Sequence, residues 1–71
     1  MVDGTYVITV RGVAGPSVRA AFDDVELSVA DDTTVLRGAG IGQVALYGLL
    51  RRTWDLGLEV VEVHLEPPEL V

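Results

Sequence analysis

Seventy-one residues with 49% hydrophobic content make a single domain, residues 1–71, and exclude a disordered chain. The absence of cysteine excludes a disulfide framework and a thiolate metal site. Eleven acidic residues face five arginines and no lysine, for a net charge of −6; with no basic patch to offset them, nucleic acid is not an expected partner.

Taken in chain order, Met1 to Gly4 is expected to be a frayed start. Thr5 to Arg11 alternates, with Tyr6, Ile8 and Val10 on one side and Thr5, Val7, Thr9 and Arg11 on the other, which predicts a strand with one apolar face. Gly12 to Pro16 reads as a loop. Pro16 suits the first position of a helix, so Ser17 to Phe22 is a short helix or a loop, with Val18, Ala21 and Phe22 as its inner side. Asp23-Asp24 ends that segment. Val25, Leu27 and Val29 alternate with Glu26 and Ser28 as a second strand. Asp31-Asp32 is a turn signal, and Thr33 to Arg37 forms the third strand, paired with the second as a hairpin.

The long helix follows from spacing. Ala45, Leu46, Leu49, Leu50, Thr53 and Leu56 recur at three- and four-residue intervals and predict one buried face. Gly57 stands where a left-handed C-cap belongs. Leu58 to Leu65 then reads as a strand bounded by Pro67 and Pro68. Its Val61, Val63 and Leu65 are expected on the core side and Glu62, His64 and Glu66 opposite. The expected fold is α+β: a four-stranded antiparallel sheet with one long helix and one short helix or loop, in the ferredoxin-like, split βαβ order.

Three stretches carry residues that chemistry uses. Gly38, Gly40 and Gly42 join a strand to a helix, where backbone N–H groups can approach an anion. Gln43 stands where the third glycine of a dinucleotide fingerprint belongs, and no Gly-Lys-Ser/Thr is present. A turn is the expected role, and no cofactor is expected. Glu62, His64 and Glu66 share one strand face and are the candidate metal ligands. Successive members lie roughly 6.6–6.8 Å apart along a strand, so a metal would need help from a second strand. No nucleophile–base pair suggests itself around the lone histidine, which argues against an enzyme.

The third stretch is the outer part of the long helix. Tyr47 and Trp54 lie two turns apart on one flank of the buried face, with Arg51 beside them and Val44 further round. Aromatic residues and arginine are favoured at contact hot spots. With Val7 and Val60 on the second sheet face, these residues are the candidate interface. A chain this short buries only roughly 60–65% of its unfolded surface, and self-association or another protein would supply the rest. No apolar run reaches membrane-span length and no signal pattern opens the sequence, so no membrane partner and a cytoplasmic setting are expected.

Leu36 and Gly38, then Gln43, Ala45, Leu46, Gly48, Leu49 and Leu50, then Asp55-Leu56-Gly57-Leu58 with Val60 and Val63, resemble a pattern in short, uncharacterised actinobacterial proteins. That pattern is L-x-G, then D-Q-A-A-L-H-G-L-L, then D-L-G-L-x-L-x-x-V. This sequence has Gly42 in place of the aspartate, a natural helix N-cap, Val44 in place of alanine and Tyr47 in place of histidine. The resemblance implies a small cytoplasmic domain. A looser likeness, in element order alone, is to ACT-type regulatory domains, whose first helix is longer. The readings in order are a non-enzymatic interaction or assembly domain, a small-ligand-sensing ACT-like module, and a minor enzyme or metal site near His64.

Overall fold

The computed structural model describes residues 4–67, so the expected frayed start is described only at Gly4, and Pro68 lies outside the described residues. The elements are β1 (Thr5–Arg11), α1 (Pro16–Ala21), β2 (Glu26–Ala30), β3 (Thr33–Ala39), α2 (Gln43–Asp55) and β4 (Val60–Glu66). The sheet runs β2-β3-β1-β4, and every neighbouring pair is antiparallel. Alternation in β1 is what puts it at the centre. Ile8 and Val10 are fully buried on one side, and the strand pairs along its whole length with β3 and, with one irregularity, with β4.

Residue chemistry sets the element ends. Pro16 occupies the first turn of α1, where its missing N–H costs nothing. Asp31 takes the left-handed turn position (φ 57°) between β2 and β3, a conformation aspartate tolerates better than most side chains. Gly57 takes φ 71° after α2. The Gly57 N–H then reaches the Trp54 carbonyl (3.0 Å) and the Leu58 N–H the Thr53 carbonyl (2.8 Å). These are the two bonds of a Schellman stop, and they turn the chain directly into β4. β3 runs two residues beyond the expected Arg37. A Cβ at Gly38 would sit 2.6 Å from Ile41 Cδ1, so glycine lets the strand continue beneath that side chain.

Both helices lie on the side of the sheet that carries Ile8, Val10 and Leu36; with these, Phe22, Leu46 and Leu49 form the core. The segment at 17–22 is a helix one residue earlier than expected, and Phe22 is its C-cap. Val18 and Ala21 pack against the core as expected. Arg52 of α2 holds this short helix in place. Its Nη1 donates to the Ala21 carbonyl (3.2 Å) and to Asp24 (2.8 Å), and Nη2 donates to the second Asp24 oxygen (3.1 Å). Its guanidinium also sits 5.9 Å from the Phe22 ring centre. The two buried hydroxyls are satisfied: Thr34 donates to the Gly12 carbonyl and Thr53 to the Leu50 carbonyl.

Two expectations about the core are corrected. The buried arc of α2 is Leu46, Leu49 and Thr53. Ala45 is exposed, and Leu56 lies beyond the helix as its exposed C-cap. Val61, Val63 and Leu65 are not core residues. They stand 50%, 40% and 53% exposed, because β4 is an edge strand and neither helix extends over it.

Candidate interaction surface

The surface begins with the orientation of α2. At 100° per residue, Ala45, Gly48 and Arg52 form one flank of the buried arc, and these residues face Asp24 and Val25 on the β2 side. Leu50, Trp54 and Tyr47 form the opposite flank, which therefore hangs toward β4. Tyr47 is 61% and Trp54 68% exposed. On that side of the sheet lie Val63 and Leu65, which the register pairs with Ile8 and Tyr6. Four large apolar side chains from two elements, Tyr47, Trp54, Val63 and Leu65, are thus exposed on the helix side. Contiguous apolar patches of this kind mark interaction sites more often than scattered residues do.

The structure divides the six expected interface residues. Val44, Tyr47, Arg51 and Trp54 are exposed. Val7 is buried and is withdrawn. It faces the open side of the sheet, but Arg37 of β3 binds Glu66 of β4 across β1, and Val7 lies between Arg37 and His64 in the register. Val60 is also withdrawn, because it packs against the core opposite Val10. Val61, Val63 and Leu65, expected on the core side, are exposed instead. The only sequence-level hint was that a thirteen-residue and a six-residue helix are little cover for four strands.

The glycine segment does not assemble an anion site. Gly38 is inside β3 and buried, and the Gly40 N–H donates to the Gly4 carbonyl (3.1 Å). Gly42 is the N-cap of α2 without a side-chain bond, which leaves one helix terminus and no converging donors. The metal expectation is also corrected. Among the described residues no group of three ligand-type side chains is placed to hold a metal ion. Glu62 lies 3.8 Å from His64 Nδ1 and Glu66 3.8 Å from Nε2, so the carboxylates flank the ring on opposite sides rather than converge on one point. Glu66 is also taken by Arg37.

Small-molecule chemistry has little room. A cleft of about 190 Å³ opens between Ala45, Gly48 and Arg52 of α2 and Asp24-Val25, below the ~300–1,000 Å³ of ordinary ligand pockets. A second cleft, of about 50 Å³, lies under Gly12 to Ala14. The charged pair in the larger cleft is already matched. The Arg52 hydrogen bond holds the Asp24 carboxyl below the usual aspartate range and raises Arg52 in turn. Because the folded-state value is the lower one, the stabilisation is complete above the unfolded value, near pH 3.9, and is lost as pH falls through the folded value. Asp24→Asn is therefore expected to melt slightly below the parent at neutral pH, with the two curves converging under about pH 4. Thermal melts across pH check this, and a gap that persists undiminished to pH 2 would contradict it.

Among the described residues no helix is long and apolar enough to cross a membrane. A family model described as "Domain of unknown function (DUF8691)" matches residues 5–64. No curated protein matches the chain, and no solved structure matches it.

Proposed function

Since the chain belongs to the DUF8691 family of domains, whose description names no activity, we propose its function from geometry: a small, non-enzymatic assembly domain that self-associates. The contact surface is the α2 flank at Tyr47 and Trp54 together with the helix side of β4. The observation that carries this reading is the exposure of Val63 and Leu65 on the helix side of β4 together with that of Trp54 on α2. A strand face built of valine and leucine gains only when something covers it, at roughly 25 cal/mol per Å² of apolar area. Arg51, exposed next to this flank, suits the rim of such a contact. A ligand-sensing role has less support, because the larger cleft is small and its charged pair is internally satisfied.

The fold that goes with this reading is the ferredoxin-like one. Its support is the β-α-β-β-α-β element order and a sheet that, counted from β4, runs 4-1-3-2 with antiparallel neighbours. The cytoplasmic setting suggested by composition belongs to the same proposal.

The test is the mass of the purified protein in solution across a range of concentrations. A dimer or larger species that dissociates on dilution is expected. Trp54→Ala removes a central aromatic anchor and should weaken association by about 2 kcal/mol, roughly thirtyfold in the dissociation constant. Helix content should not change, because Trp54 makes no part of the core. A parent protein that stays monomeric at the highest concentration would sink the self-association reading.

A further inference from the structure

The free edge of β4 can be read residue by residue. In an antiparallel strand the N–H and C=O of one residue point the same way, and successive residues alternate. The Arg11 N–H reaches the Glu59 carbonyl beside β4. The Gly12 N–H goes to Asp32, and the Gly4 carbonyl accepts from Gly40, both on the β3 side. The odd residues of β1 therefore bond toward β4. Their partners are Glu66, His64 and Glu62, opposite Thr5, Val7 and Thr9. That leaves Val63 and Leu65 with their backbone groups turned to the open edge, while Val61 is the unpaired residue of the irregularity opposite Thr9 and Val10. Two residues whose side chains are uncovered thus also present their main chain at the edge, the condition for strand addition.

We infer that a second copy of this chain occupies that edge, its β4 antiparallel to the first around a two-fold axis at Val63. The inference rests on the assembly reading above and names its partner and register. Outward-facing residues must meet outward-facing residues, so the axis passes through a residue of β4. An axis at Glu62 sets Glu62 against the partner's Glu62, and an axis at His64 sets Glu62 against the partner's Glu66. Like charges directly opposite are unfavourable. Axes at Val61 or Leu65 engage only the end of the strand. The axis at Val63 engages Glu62, Val63 and His64 of both copies, within the regular part of the strand. It sets Glu62 against the partner's His64 and His64 against the partner's Glu62, so Glu62 faces an imidazole and not another carboxylate. Val63 then bonds with the partner's Val63. Both copies carry their apolar side chains on the helix side, where the Tyr47 and Trp54 flanks border the joined strip.

The chain has no cysteine, so single cysteines report the register directly. Opposed residues of a hydrogen-bonded pair lie about 5.5 Å apart at Cα, within disulfide range. Under mild oxidation, or with a short bis-maleimide, Val63→Cys should cross-link to a covalent dimer. Leu65→Cys, two residues from the axis, should fail to cross-link alone. His64→Glu should weaken association at least tenfold, and the exchange Glu62→His with His64→Glu should restore most of it. All positions are exposed, and circular dichroism confirms that each variant folds. If the parent self-associates but Val63→Cys gives no cross-link, or the charge exchange does not rescue, this interface is wrong while the assembly reading stands. A parent that is monomeric throughout overturns both, and would turn attention to a different protein as the partner of the α2–β4 surface.

Discussion

Phe22→Ala is expected to destabilise the domain by 3 to 5 kcal/mol, taking the usual ~3–5 for a buried phenylalanine, and to leave much of the chain unfolded at room temperature. At roughly 0.05–0.15 kcal/mol per residue, a domain of this length has about 4–11 kcal/mol in all, so the loss is a large share of it. Phe22 is 1% exposed and closes the end of α1 against the sheet. It packs with Ile8, Leu36 and Leu49 in the core, its carbonyl accepts the Val25 N–H (3.3 Å), and its ring lies under Arg52. Removing the ring opens a cavity where two short elements meet and neither can collapse into it. Urea unfolding measures the effect. Phe22→Leu, which keeps most of the volume, should cost far less. Tyr47→Ala, on the exposed flank, should stay within about 0.5 kcal/mol under conditions where the protein is monomeric. Equal losses for Phe22→Ala and Tyr47→Ala would mean that the core has been misassigned.

The second large effect comes from glycine. Gly4→Ala should destabilise by about 1–3 kcal/mol, because its Cβ would sit 2.3 Å from the Glu66 carbonyl oxygen and 3.0 Å from Leu65 Cδ1. The first of these is backbone, so β1 and β4 must separate at that end, beside the Gly4–Gly40 hydrogen bond. Gly48→Ala should do the reverse. It lies within α2, a Cβ there meets nothing within 4 Å, and replacing a mid-helix glycine with alanine is worth about 0.5–1 kcal/mol. Denaturant midpoints of the two variants should move in opposite directions. If both fall, the space around Gly48 is not open.

The candidate surface was legible where a single helix carries it. Tyr47 and Trp54 stand off the buried arc whatever the helix packs on, so their exposure follows from the 3.6-residue repeat. Ala45 and Leu56 show the limit of that reasoning. The repeat admits six inner positions, but only the residues over the sheet, Leu46, Leu49 and Thr53, are covered. Arg52 reads as a solvent residue on the wheel, yet it binds α1 because the loop at Asp24 comes up beside α2.

Alternation, turn residues and caps were enough to predict four strands, the long helix, the β2–β3 hairpin and the Gly57 stop of α2, and left 17–22 as a short helix or a loop, since each is a local matter of which φ/ψ values and which side-chain periods a segment tolerates. The fate of an apolar face is not local. Val61, Val63 and Leu65 alternate as regularly as Tyr6, Ile8 and Val10, and nothing in their own segment distinguishes them. Ile8 and Val10 are buried because β1 is central and lies under the helices; Val61, Val63 and Leu65 are exposed because β4 is the edge. Strand order, set by contacts distant in the chain, decides which of two similar patterns becomes core and which becomes surface.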